Sequence, residues 1–119
     1  MTEMPTDVPG QVTLAQAVGA LAEAPVGGTP YAELINRGTL RVGLYAPRGT
    51  DTQQPHDQDE VYVVMSGRGT FRNGSTSHPF QPGDVLFVPA GVRHVFEDFS
   101  DDLYVWVVFY GPSGGEATG

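Results

Sequence analysis

Two stretches decide how this chain is read: PHDQDEVYVVMSG at residues 55–67 and GDVLFVPAGVRH at residues 83–94. Each holds an apolar run of strand length, VYVVM or VLFV, and each run is closed by glycine or proline. Working outward, the same alternation of short apolar runs and turn residues continues to LYVWVVFY near the C-terminus. Strands are predicted at residues 31–36, 39–46, 60–66, 69–72, 76–80, 85–88, 94–98 and 103–110. Asn73-Gly74 is the strongest hairpin signal, because a two-residue type I′ loop needs positive φ at both central positions and these residues tolerate it. Gln81-Pro82-Gly83-Asp84 is a second turn. So many short strands favour an all-β sandwich or small barrel, in which closure removes exposed edges.

Ahead of the strands, Thr13 opens a helical pattern in which Leu14, Ala17, Val18 and Leu21 share one face. Thr13 and Gln16 have the spacing of a capping box, and Pro25 with Gly27-Gly28 ends the helix. At 119 residues the chain has material for one core. The expected organisation is an N-terminal arm with a short helix at 1–30, a barrel at 31–111 and a flexible tail at 112–119.

Charge and composition exclude several functions. The six basic residues are all arginine and face fourteen carboxylates, for a net charge of −8. Such a chain repels nucleic acid and anionic membrane surfaces. Without lysine there is no Schiff-base chemistry. Without cysteine there is no thiolate nucleophile, disulfide or sulfur-ligated metal. No hydrophobic stretch approaches the roughly 18 residues of a membrane span, and the polar start lacks a secretory pattern. A soluble cytoplasmic protein is expected.

The ligand-grade side chains concentrate in the two opening stretches. His56 shares a face with Glu60 if the stretch between them is extended, and His94 opens another strand about forty residues later. A barrel that brings these strands together assembles two imidazoles and one carboxylate around a cation, a set that suits Fe(II) and also accepts Mn, Ni, Co or Zn. The alternative is a loop histidine and a hydrogen-bonded core histidine. His78 is expected to be exposed beyond the hairpin, and the acidic run at 97–102 lacks the spaced ligands and Gly of an EF-hand loop and reads as a solvated turn.

On these residues the chain resembles a small single-domain cupin, a family built on a double-stranded β-helix (jelly-roll) barrel with a metal ion at its wide end. The first family motif is Gly, five residues, His-x-His, three or four residues, Glu, six residues, Gly. Here Gly67, Glu60 and His56 match its end, Gln54 stands where the first His belongs, and Gly49 lies one residue too close. The second motif is matched by Gly83, Pro89-Ala90-Gly91 and His94, with Asp98 where the family usually has Asn. The resemblance covers residues 40–110. It implies one divalent ion per chain (Fe, Mn, Ni or Zn) held by His56, Glu60 and His94, with Gln54 in the fourth place. Gln58, on the same parity, and Gln53 are the alternative amides.

Strand parity aims further residues inward: Tyr62 and Val64 with Glu60, Phe96 and Asp98 with His94, and Arg41 with Tyr45 on an earlier strand. Tyr62 is the candidate acid or hydrogen-bond donor, and an inward Arg41 suits a carboxylate. Val64 and Phe96 also read simply as core. The expected ligand is a small oxygen-bearing organic molecule, with dioxygenase-like chemistry ahead of isomerase or lyase chemistry. A non-catalytic binding module is the alternative, motivated by the missing first histidine. The resemblance implies a homodimer, and the last strand, apolar on both faces, agrees with that.

Overall fold

The computed structural model describes residues 8–23 and 29–117. Helix α1 (Leu14–Ala22) starts at the expected cap, where Gln16 N–H donates to Thr13 Oγ1 and Thr13 N–H donates to Gln16 Oε1. Pro25 and Gly27-Gly28, the expected helix stop, lie outside the described residues, as do residues 1–7 and 118–119.

Eight strands follow: β1 (Tyr31–Arg37), β2 (Leu40–Tyr45), β3 (Asp59–Ser66), β4 (Gly69–Asn73), β5 (Thr76–Phe80), β6 (Val85–Val88), β7 (His94–Glu97) and β8 (Tyr104–Tyr110). They form a five-stranded sheet in the order β1-β2-β8-β3-β6 and a three-stranded sheet in the order β5-β4-β7, with every pairing antiparallel. All eight expected strands are present. The architecture is the expected all-β barrel with one short helix.

Alternation is clean in β8, where Val105, Val107 and Phe109 are buried and Tyr104, Trp106, Val108 and Tyr110 are partly exposed. The inward residues of both sheets meet in an aromatic cluster of Tyr62, Phe71, Phe80 and Phe96, joined by Leu86, Val88 and Leu103. Phe71 and Phe96 pack with ring centres 4.8 Å apart and planes tilted by 45°, and Tyr62 meets Phe96 edge-on at 5.1 Å. Such pairs stabilise by roughly 0.5–1.5 kcal/mol each beyond their buried area. Gly67 seals this end of the barrel: its φ is +95°, and a Cβ there would lie 2.7 Å from the Leu103 backbone.

Three readings are corrected. The β4–β5 hairpin turns on Gly74-Ser75, not Asn73-Gly74. Asn73 pairs with Thr76, and only Gly74 has positive φ (+61°), the requirement of a type II′ loop. Asp98 lies outside β7, which ends at Glu97. Its φ of +50° turns the chain out of the strand, so it is exposed and does not face the interior. Where a tail was expected, residues 111–116 fold back along the start of β3. Gly111 N–H donates to Thr39 Oγ1, Gly114 N–H to the Asp57 carbonyl, and Glu116 N–H to Asp59 Oδ2.

Candidate metal centre

The two motifs are stitched together by backbone before any side chain is considered. Gly91 N–H donates to the His56 carbonyl at 2.7 Å, and Ala90 N–H donates to Asp59 Oδ1 at 2.9 Å. The Pro89-Ala90-Gly91 turn therefore fixes the loop that carries His56 to the turn that delivers His94. Glu60 stands at the start of β3, between Val88 of β6 and Phe109 of β8, while His94 opens β7 in the opposite sheet.

Candidate ligand atoms of His56, Glu60 and His94 all lie within 4.8 Å of one another. His94 Nε2 is 2.8 Å from Glu60 Oε1, and His56 Nε2 is 3.9 Å from the same oxygen. Glu60 is fully buried (0% exposed) and His94 nearly so (2%). Neither Glu60 oxygen has a hydrogen-bond partner. The short approach to His94 thus lacks hydrogen-bond geometry. His94 Nδ1 lies 2.8 Å from the Val92 carbonyl, an acceptor, so this nitrogen carries a proton, and in the neutral ring Nε2 is left with the lone pair. The Nε2 atoms of two imidazoles and a buried carboxylate without a hydrogen-bond partner thus converge on one point, and with both rings neutral and their Nε2 deprotonated this is a donor set for a cation.

Electrostatics divide the two histidines. Burial pushes the His56 imidazole below its ordinary value, and the neighbouring Glu60 offsets this only in part. Burial also opposes protonation of His94, but Glu60, the Val92 carbonyl and Asp51 outweigh it and raise its proton affinity. Burial holds the Tyr62 hydroxyl well above the ordinary phenol range, with Glu60 adding to the effect. Tyr62 therefore stays a neutral phenol.

The amide that reaches the cluster is Gln53, not Gln54. Gln53 Oε1 is 3.1 Å from His94 Nε2 and 3.4 Å from His56 Nε2, and it accepts from the Tyr62 hydroxyl at 2.9 Å. Gln54 is exposed. The reason is local. Gln53 N–H donates to Asp51 Oδ1 two residues earlier, an Asx turn, and residues 51–58 form no strand, so strand parity does not apply. Gln58 is occupied elsewhere: its oxygen accepts two bonds from Arg41, and its nitrogen donates to the carbonyls of Thr39 and Gly111.

Beside the cluster, on the inner face of the five-stranded sheet, lies a cavity of about 180 Å³. Arg41, Tyr45, His56 and Tyr62 line it, as the parity reading expected for Arg41 and Tyr45, together with Tyr31 and Phe109. The Arg41 guanidinium lies 4.5 Å over the Phe109 ring, held by Gln58. Val64 and Phe96 pack in the core and do not line the cavity. Sequence reasoning missed Tyr31, Asp51 and Phe109. Phe109 was within reach, since the alternation of β8 puts it inward. Asp51 two residues before Gln53 is an Asx-turn signal.

Comparison with known proteins agrees with this geometry. The family model described as Cupin domain matches residues 41–110. The uncharacterized protein SCO3923 of Streptomyces coelicolor is 43% identical over 93 residues, covering 76% of this chain and 89% of the relative. Among solved structures, a Cupin 2 conserved barrel domain protein from Salinispora arenicola aligns with a TM-score of 0.56 at 22% identity, covering 68% of this chain and 74% of that one. A Ralstonia eutropha protein provisionally named a mannose-6-phosphate isomerase aligns with a TM-score of 0.58 at 26% identity, covering 76% and 94%. With its motifs, its barrel and a family model spanning most of the strands all in agreement, the chain belongs to the cupin family.

Proposed function

We propose that this cupin holds one divalent metal ion through His56, Glu60 and His94 and acts, as a cytoplasmic homodimer, on a small oxygen-bearing organic molecule bound in the adjoining cavity. The observation that carries this reading is the fully buried Glu60 carboxylate, without a hydrogen-bond partner and facing Nε2 of both imidazoles. When bound, the ion supplies Lewis-acid polarisation of a substrate oxygen and open positions for it, with Fe, Mn, Ni and Zn all suited to the donor set. Arg41 at the cavity wall offers a charge-assisted donor to an anionic substrate group. Phe109, Tyr31 and Val107 give the ligand apolar walls. Tyr62 stands within the lining as a neutral hydrogen-bond donor. A cavity this small, against the roughly 300–1,000 Å³ of drug-sized sites, favours a compact substrate. Isomerase or lyase chemistry needs only this Lewis acid and a proton-transfer group. Dioxygenase chemistry requires in addition that the ion be redox-active.

The test is elemental analysis of untagged protein purified without chelator. About one equivalent per chain is expected, lost in His94→Ala, and the element separates oxygen chemistry from Lewis-acid chemistry. Folded protein that takes up no metal on reconstitution overturns the reading. The second reading, a non-catalytic binding module, is favoured by the neutral amide at a position where the family usually places an imidazole. It predicts stoichiometric metal and ligand binding with no turnover across a panel of small hydroxy- and keto-carboxylates.

A further inference from the structure

The Gln53 amide is not free to choose its orientation. Its Nε2 donates to Asp51 Oδ2 at 2.6 Å, and a carboxylate only accepts, so the amide nitrogen must face Asp51 and the carbonyl oxygen must face the histidines. Asp51 is itself fixed from three other directions. It accepts from the Tyr45 hydroxyl, from Phe96 N–H at 2.9 Å and from Gln53 N–H at 3.2 Å. Nothing in this arrangement depends on a metal ion. Yet it places a fourth acceptor, Gln53 Oε1, 3.1 Å from His94 Nε2 and 3.4 Å from His56 Nε2, with the Tyr62 hydroxyl donating to it from the other side.

We propose that Gln53 is the fourth protein ligand of the metal ion, binding through Oε1, and that Asp51 is the positioning residue that keeps this oxygen, and not the amide nitrogen, turned to the ion. The inference rests on the metal-binding reading above and goes beyond it. The donor set becomes two imidazole nitrogens, one carboxylate oxygen and one neutral amide oxygen. Replacing an imidazole by an amide oxygen makes the set harder, and weakens it most for the later first-row metals, whose affinity depends on nitrogen donors. The chain thus trades affinity for a donor that Tyr62 and Asp51 hold in place from either side.

The experiment is a Co(II) titration of metal-free protein, read by calorimetry and by the visible d–d spectrum, in wild type, Gln53→Ala, Asp51→Asn and the double variant. Gln53→Ala is expected to weaken Co(II) about 10- to 100-fold and to change the d–d bands, because a donor is lost. Asp51→Asn is expected to weaken it about 10-fold, in the range typical of groups that orient a ligand. In the double variant Asp51→Asn should add nothing further, because its effect passes through Gln53. Gln53→His should tighten Co(II), restoring the imidazole. Unchanged affinity and an unchanged spectrum in folded Gln53→Ala overturn the ligand assignment while leaving the three-residue centre intact. An additive Asp51→Asn effect overturns its positioning role. If Asp51→Asn does not fold, the Gln53→Ala and Gln53→His spectra still decide the ligand. Folded wild type that binds no Co(II) overturns the centre and this inference together.

Discussion

Replacing Glu60 by glutamine should move the stability of metal-free and metal-loaded protein in opposite directions. Glu60 is wholly buried, neither of its oxygens is hydrogen-bonded, and one lies 2.8 Å from the His94 Nε2 lone pair. An unsatisfied buried polar group costs about 1–3 kcal/mol, and a charged one more. Glutamine keeps the shape, removes the charge and supplies an N–H₂ that His94 Nε2 accepts. Above the raised His94 value, where the neutral ring gives Glu60 no proton, metal-free Glu60→Gln should therefore be about 1–3 kcal/mol more stable than wild type. In a domain of this size that corresponds to roughly 4–12 °C in Tm. Adding metal at a hundred times its Kd stabilises wild type by about 2.7 kcal/mol, while the variant, having lost its anionic ligand, should gain almost nothing. Differential scanning fluorimetry, with chelator and then with Co(II), Mn(II) or Zn(II), reads both effects. A metal-free variant that melts below metal-free wild type would refute the reasoning, since the carboxylate would then already be satisfied without an ion.

Two further outcomes follow from the same geometry. For metal-free protein, His94 binds its proton more tightly when folded, so its contribution is complete below about pH 6.5 and is lost as pH rises through the raised folded value. His56 binds its proton more weakly, so its contribution is complete above about pH 6.5 and is lost as pH falls through the depressed folded value. Thermal stability should thus peak near pH 6.5, and a steady rise from pH 5.5 to 8.5 would contradict the assignment. The outer face of the five-stranded sheet carries two apolar cross-strand rows, Val42-Val108-Val61-Phe87 and Trp106-Val63-Val85, with Val85 65% and Phe87 47% exposed. Light scattering should report twice the 12.7 kDa chain mass, and Phe87→Glu should halve it; a wild-type monomer at micromolar concentration would remove the dimer.

The strands and the three side chains of the candidate centre were legible because local chemistry determines them. Pro82-Gly83 ends an apolar run wherever it occurs, and β3 and β6 alternate as half-buried strands should. Glu60 and His94 stand at strand starts, where backbone pairing fixes position, and His56 is held in the preceding loop by the Gly91 N–H bond to its carbonyl. The errors fall where the period of two stops. At residues 51–58 an aspartate side chain replaces a ladder partner, so the inward amide shifts from Gln54 to Gln53. At Asp98 a left-handed residue ends β7 one position early. At the β4–β5 turn the register of Asn73 with Thr76 moves the loop by one residue, a choice set by the pairing of β4 with β7 as well as β5. In each case the deciding partner lies outside the local window.

The placement of the centre explains why the barrel tolerates so poor a packing of acceptors. Glu60 belongs to the five-stranded sheet, His94 to the three-stranded sheet, and His56 and Gln53 to the loop that leads into β3. No pair of these elements is hydrogen-bonded strand to strand across the open side. Closure there depends on the aromatic cluster below and on the Gly91 and Ala90 bonds to residues 56 and 59. An ion bound to all four side chains would bridge both sheets and the loop at once, adding to the links that the Gly91 and Ala90 bonds supply. The repulsion stored in the metal-free cluster and the stabilisation gained on loading are then one property, and removing the Glu60 charge should abolish both together.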